Sequence, residues 1–240
     1  MRSMANFKTH LGVAAVGSGL LATVCLGAGM SSPQEVVTLS VVGTVGGLLP
    51  DIDLDHSSPT KLIFTALAIV FAFLAAFNRV SSYSIVELWI VWGVAYGAVR
   101  YLALGVFSAL TVHRGIFHSL VAALFFWFMV TSLSYYLFAL SALFAWSIGF
   151  FLFFGYIVHL LLDELFSVDL LNSRLKSSFG TALKIADFHN ARTSLLMTAA
   201  ALLMFFSTPS AQPFLDWVTN KQTYLNIADR FLPEALWFVL

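Results

Sequence analysis

Long apolar segments dominate this chain and limit what it can fold into. Of its 240 residues, 60% are hydrophobic and only 10% are charged, whereas a soluble domain carries about 25% charged residues. Seven apolar segments are visible, over residues 11–30, 36–50, 62–77, 85–107, 118–140, 142–163 and 193–208. Because a helix needs about 20 apolar residues to cross a bilayer, the sequence predicts an all-α integral membrane protein. We expect a bundle of about six or seven transmembrane or partly inserted helices.

The lengths of these segments indicate one membrane domain followed by a tail. The second, third and seventh segments are short, so we expect them to tilt, to thin the bilayer or to enter it only partway. The second is rich in glycine and stops at Pro50, which favours close helix packing and then a break. We predict a polytopic membrane domain over residues 1–210 and a C-terminal tail, residues 211–240, that could lie at the interface. The first segment also fits a cleaved signal peptide, because Arg2 and Lys8 precede it.

Basic residues are distributed unevenly between the predicted loops. If the segments alternate across a bilayer, the N-terminus and three loops share one face. That face holds Arg2, Lys8, Lys61, Arg114, Arg174, Lys176, Lys184 and Arg192. The opposite face holds only Arg79, Lys221 and Arg230. The positive-inside rule places the first face in the cytoplasm, so we predict a multi-pass protein of the bacterial inner (cytoplasmic) membrane. A formal net charge of zero argues against nucleic acid as a partner.

Histidines and carboxylates gather at the ends of the apolar segments, on the predicted cytoplasmic face. They are His10, Asp51, Asp53, Asp55, His56, His113, His118, His159 and Asp163. Imidazole and carboxylate groups are common metal ligands, and charged groups in or near hydrocarbon are costly unless something pairs with them. These side chains are distinct from the lysines and arginines that define the cytoplasmic face. The two groups of residues nevertheless lie on the same predicted face. The sequence therefore predicts a metal site at the cytoplasmic face of the membrane.

Each of these groups also has a simpler structural interpretation. His159 and Asp163 are four residues apart, which places them on one helix face and suits either shared metal ligation or a His–Asp hydrogen bond. The aspartates after the second segment could form a solvated loop or cap the N-terminus of the next helix. His113 and His118 could each be structural, as a lone histidine more often is. They flank Arg114, however, and a histidine pair with an intervening arginine favours a site for a metal and a phosphate.

Four ordered motifs resemble a known family. They are THLG, LLPDIDLDH, HRGIFHS and GYIVHLLLDEL, and together they resemble the YdjM-like inner-membrane metal-dependent hydrolases, some of which are under LexA control. The resemblance covers about residues 8 to 170, and a looser similarity links the motifs to zinc-dependent phospholipase C enzymes. The family resemblance implies a metal site formed by His10, Asp51, Asp53, His56, His113, His118, His159 and Asp163.

The types of ligand indicate the chemistry of such a site. Mixed imidazole and carboxylate donors suit zinc, and also manganese or iron. The donors outnumber the ligands that one tetrahedral ion needs, so two or more ions are expected. Divalent metals activate water and neutralise a phosphoryl oxygen. Arg114 is the candidate for binding a phosphate, and Asp53 and Glu164 are candidates for a general base or for orienting a ligand histidine.

We interpret the chain as an enzyme, a membrane-embedded metal-dependent hydrolase of a phosphoester or ester in a lipid-linked substrate. A site at the membrane surface makes a membrane lipid the expected partner. One alternative is a metal or ion transporter, but transporters bind their cargo near the bilayer midplane on broken helices. Another alternative is a catalytically silent, metal-stabilised membrane scaffold. The HExxH pair of zinc proteases is absent from the sequence, which argues against proteolysis.

Overall fold

The computed structural model describes residues 7–53, 58–77, 79–105, 115–169, 174–175, 184–186 and 190–231. Its α-helices, in chain order, are α1 (Phe7–Gly27), α2 (Pro33–Gly46), α3 (Ser58–Phe77), α4 (Ile85–Gly97), α5 (Leu120–Tyr136), α6 (Ala142–Ser167), α7 (Ala191–Phe206), α8 (Gln212–Thr219) and α9 (Lys221–Phe231). A 3-10 helix covers Leu49–Asp53, and a π-helix, Ala98–Ala103, continues α4. The predicted all-α fold is confirmed, with one small addition. Two-residue strands, β1 (Val168–Asp169) and β2 (Arg174–Leu175), pair antiparallel after α6.

Four described helices are long and apolar enough to cross a membrane. They are Phe7–Gly27, Thr60–Phe77, Ile85–Ala103 and Ala142–Phe166. The apolar helices α5 and α7 are shorter, and α2 has only 14 residues. The second and seventh segments are therefore short, as predicted. The third segment is longer than predicted, because its helix begins before the polar residues Thr60 and Lys61, at Ser58.

Local sequence signals set the first turns of two helices. Ser32 caps α2 by accepting the backbone N–H of Glu35, and the Glu35 carboxylate in turn accepts the backbone N–H of Ser32. Ser84 and Glu87 form the same reciprocal pair at the start of α4. Such a capping box satisfies two backbone donors that have no partner inside the helix. The carboxylate of Glu87 in the fourth apolar segment therefore has a structural role.

The chain divides into two compact units, Met1–Pro50 with His118–Leu240, and Asp51–Phe117. In the first unit, α6 packs against α1, α2, α5 and α8, and α7 packs on α5. Ala22, Cys25, Leu39, Ile148 and Phe151 form a buried apolar cluster there. The predicted domain boundary near residue 210 stays a prediction. In this unit α8 packs on α6 and α9 packs on α1.

Glycines let α2 approach α6 very closely. A Cβ atom on Gly155 would collide with the backbone carbonyl of Gly43, and one on Gly46 would collide with the carbonyl of Leu152. Because these obstacles are backbone atoms, a small side chain could not be accommodated by a rotamer change. The close approach brings the C-terminal end of α2, at Gly47, against α6. The glycines of the second segment therefore support close helix packing, as predicted.

In the second unit, α3 packs on α4 and on the π-helix. The buried side of α3 carries Phe64, Ala68, Ala72 and Ala76, which are spaced one helical turn apart. Aromatic rings add to the contact, since Phe73 meets Trp92 edge-on with ring centroids 5.8 Å apart. The opposite surface of α4 exposes large apolar side chains, which suits contact with lipid.

Candidate metal centre

Four chemically active side chains converge in the first unit. His10 lies in the first turn of α1, His118 comes just before α5, and His159 and Asp163 lie near the C-terminal end of α6. We call these four residues the His3Asp cluster. All three histidines are at most 2% exposed, and the side chain of Asp163 is 7% exposed. A buried carboxylate is stable only when it is paired or binds a cation.

The carboxylate of Asp163 is the centre of the cluster. The Nε2 atoms of His10, His118 and His159 lie 3.2, 3.7 and 3.6 Å from its oxygens. The rings of His10 and His159 are stacked, with centroids 3.8 Å apart. The ring of His118 stands edge-on to that of His159, at a centroid distance of 5.8 Å. Three imidazole nitrogens therefore point toward one carboxylate group.

The hydrogen bond of His159 to the backbone identifies the ring nitrogen that carries its proton. Its Nδ1 atom lies 2.8 Å from the carbonyl oxygen of Gly47, and a carbonyl can only accept, so Nδ1–H is the donor. In the neutral ring, the Nε2 lone pair then faces the carboxylate of Asp163. That arrangement is repulsive unless the ring is protonated or a cation lies between the two groups. A backbone carbonyl that holds Nδ1–H is also the usual partner of a metal-binding histidine.

The dimensions of the cluster fit a small divalent metal. In a tetrahedral site with metal–ligand bonds of about 2.0 Å, neighbouring donor atoms lie about 3.3 Å apart. The three nitrogen–oxygen separations of 3.2 to 3.7 Å around Asp163 are close to this value. His10, His159 and Asp163 each offer a ligand atom within 4.8 Å of the others. Three nitrogens and one carboxylate are a donor set that zinc accepts.

Helix geometry explains how the sequence assembles this cluster. His159 and Asp163 are four residues apart and therefore project from one face of α6. The glycine contacts between α2 and α6 bring the carbonyl of Gly47 to His159. The stripe of small buried residues on α1, which includes Ala14 and Ser18, lets that helix lie close and present His10. The sequence indicated the glycine-rich end of the second segment, but no residue pattern identified the Gly47 carbonyl as a contact.

The remaining predicted site residues are distributed as follows. Asp51 belongs to the second unit, where its backbone carbonyl accepts a hydrogen bond from Thr60 Oγ1 at 3.3 Å. Asp53 is the last residue of the 3-10 helix Leu49–Asp53, but its side chain lies outside the described residues. His56, His113 and Arg114 also lie outside the described residues. Their assignment to the metal site stays a prediction. Glu164 follows Asp163 on α6 and is half-buried, about 100° around the helix from the cluster's carboxylate.

Comparison with known proteins identifies the family. Residues 4–171 match the protein-family model described as YdjM inner membrane protein, and the matched region contains the whole His3Asp cluster. No curated protein and no solved structure matches the chain. Since the match covers more than half of the chain, the protein belongs to the YdjM inner membrane protein family.

Proposed function

We propose that this YdjM family member is a membrane-embedded, metal-dependent hydrolase of a phosphoester or ester in a lipid-linked substrate. The observation that carries this proposal is the buried convergence of three imidazole Nε2 atoms on the carboxylate of Asp163. A structural histidine pair would need neither a third ring nor a buried carboxylate, whereas a hydrolytic metal centre uses both.

The cluster residues have separate roles in this proposal. His10, His118, His159 and Asp163 would hold the metal, with zinc as the expected ion and manganese or iron as alternatives. A bound metal supplies Lewis acidity toward a phosphoryl or carbonyl oxygen, together with an activated water. The Gly47 carbonyl keeps the Nδ1 proton of His159 in place and so leaves Nε2 available as a ligand.

Further ligands and catalytic groups follow from the sequence motifs. Asp51, Asp53, His56 and His113 would add donors for a second ion, as the number of candidate ligands suggests. Arg114 would bind a negatively charged phosphate through its forked donors. Asp53 or Glu164 would accept the proton of the attacking water.

The depth of the cluster supports a hydrolase rather than a transporter. Asp163 is three residues from the end of the apolar stretch Ala142–Phe166, and His10 is three residues from the start of Phe7–Gly27. At 1.5 Å per residue, both lie about 5 Å from the ends of their spans. Transporters hold their cargo near the midplane. A site near the surface is accessible to a lipid head group, and the positive-inside rule assigns that surface to the cytoplasm.

A turnover assay tests the proposal. Purified protein in lipid nanodiscs is incubated with phosphodiester, phosphomonoester and carboxyl-ester lipids, and products are quantified by mass spectrometry. We expect turnover of one class, its loss after chelation and its recovery when zinc is restored. Metal-loaded protein that cleaves none of the three classes would exclude the hydrolase. Uptake of zinc into proteoliposomes by the same preparation would instead establish the transporter.

A further inference from the structure

The first backbone N–H groups of α5 are buried and need hydrogen-bond acceptors from outside the helix. The first N–H groups of any α-helix have no acceptor inside the helix. Here the start is buried, since His118 is 2% exposed and Ser119, Ala122 and Ala123 are not exposed at all. Water is therefore poorly placed to satisfy these donors, and each unpaired buried N–H costs about 1–3 kcal/mol.

A distant short segment supplies two of the missing acceptors. The Leu120 N–H donates to the carbonyl of Lys184 at 3.0 Å, and the Val121 N–H donates to the carbonyl of Ile185 at 3.2 Å. Ser119 and Lys184 also pair as a parallel β-bridge. The next donor, the Ala122 N–H, is satisfied by the hydroxyl of Ser119 itself. We call residues 184–186 the strap.

His118 depends on this contact more than the other cluster residues do. His10 lies within α1, and His159 and Asp163 lie within α6, so helical hydrogen bonds fix their backbones. His118 precedes its helix and is adjacent to Ser119, the extended residue that pairs with the strap. The position of its Nε2 atom, 3.7 Å from Asp163, is therefore set by how firmly the backbone at Ser119 is held.

We propose that the strap is a positioning element of the metal site, which holds His118 in ligating geometry through backbone pairing. The inference rests on the proposed metal centre and adds to it a segment that nothing in the cluster motifs indicates. Residues 184–186 lie beyond the stretch matched by the family model, which ends at residue 171. The C-terminal part of the chain thus helps to complete a site whose ligands all come from the matched part.

The experiment compares substitutions at one strap position in the full-length protein. Lys184→Pro removes the backbone N–H and restricts φ, which is incompatible with an intact parallel bridge. Lys184→Ala removes the ammonium group but leaves the backbone donors and acceptors unchanged. Lys184→Gly keeps the same groups and loosens the strap. Zinc affinity is measured by chelator competition, and the absorption spectrum of the cobalt-substituted protein reports the ligand geometry.

We expect Lys184→Pro to weaken zinc binding about 10- to 100-fold, the usual effect of losing a group that orients a ligand. Its cobalt spectrum should match that of His118→Ala, while Lys184→Ala should match wild type in both measurements. If Lys184→Pro does not fold, Lys184→Gly should bind zinc more weakly than Lys184→Ala.

Two outcomes overturn the proposal while leaving the metal centre in place. In the first, the wild-type and Lys184→Pro proteins have the same zinc affinity and the same cobalt spectrum. If the proline variant does not fold, the equivalent result is equal zinc affinity for Lys184→Gly and Lys184→Ala. In the other, Lys184→Ala weakens binding as much as Lys184→Pro, which would assign the effect to the ammonium group. A wild-type protein that binds no metal overturns both the strap and the proposed function.

Discussion

At the scale of single residues, the carboxylate of Asp163 is the group on which the cluster depends. Its oxygens lie 3.2 to 3.7 Å from the Nε2 atoms of the three histidines of the cluster. Asp163→Asn keeps the shape of the side chain but removes its charge. Because the substitution would remove a proposed metal ligand, its effect should exceed the 10- to 100-fold loss typical of outer contacts. We expect zinc affinity to fall at least about 100-fold by chelator competition.

A matched control separates this effect from a general loss of charge. Asp216 is exposed on α8, where it accepts a hydrogen bond from Gln212. Asp216→Asn makes the same chemical change away from the cluster and should leave zinc affinity unchanged. Equal affinities for the Asp163→Asn and wild-type proteins would exclude Asp163 as a ligand.

Arg114 is predicted to act on the substrate rather than on the metal. Arg114→Ala should keep the metal content of wild type and lower the turnover rate about 100- to 1000-fold, the usual cost of removing a donor that stabilises developing charge. Arg114→Lys keeps the charge but loses the bidentate fork, so it should restore the rate only in part. Steady-state kinetics with parallel metal analysis measures both. Wild-type turnover in Arg114→Ala would leave Arg114 as a topology determinant only.

At the scale of helices, the contact between α2 and α6 couples stability to the site. A Cβ on Gly155 would collide with the carbonyl of Gly43, so Gly155→Ala must push the helices apart. We expect a loss of about 1–3 kcal/mol in the free energy of unfolding, measured by thermal denaturation in detergent. Zinc affinity should fall as well, because the Gly47 carbonyl moves away from His159. Gly19→Ala is the control, since nothing lies within 4 Å of its added Cβ, and it should be neutral or mildly stabilising.

The sequence predicted the elements that depend on local patterns. Apolar segment lengths predicted the membrane helices, and the four-residue spacing of His159 and Asp163 placed both on one face of α6. The extent of α3 was underestimated because hydropathy excluded its polar first turn. The convergence of His10 and His118 on Asp163 was predicted from motifs at segment ends. The individual contacts depend on how the helices pack, which no local pattern specifies.

Long-range backbone contacts could not be predicted in the same way. His159 forms a hydrogen bond with the backbone carbonyl of Gly47. Every residue carries a backbone carbonyl, so no side-chain pattern marks this contact. The pairing of Ser119 with Lys184 joins positions that are far apart in the chain, and the region after residue 170 offered no motif. The tail was predicted only as a segment that could lie at the interface, and this stays a prediction. Its described residues form α8 and α9, which contact α6 and α1.

At the scale of the whole molecule, the predicted membrane topology depends on how basic residues are distributed over all the loops. If the bias of eight basic residues to three is correct, the start of α3 faces the cytoplasm and the exposed turn before α4 faces the periplasm. We expect Ser58→Cys to resist a membrane-impermeant maleimide in intact cells and Ser82→Cys to react readily. The native Cys25 is buried and gives a low background. Reaction of Ser58→Cys from outside, with protection of Ser82→Cys, would invert the topology.

The proposed function requires that His10, His118, His159 and Asp163 together bind a divalent metal, with zinc as the expected ion. Zinc K-edge X-ray absorption of purified, zinc-replete protein, with zinc quantified in the same sample, tests it most directly. The predicted result is at least one zinc per chain and a shell of nitrogen and oxygen donors at about 2.0–2.1 Å with imidazole scattering. The claim would be contradicted by protein that retains no zinc, or by a sulfur shell at about 2.3 Å.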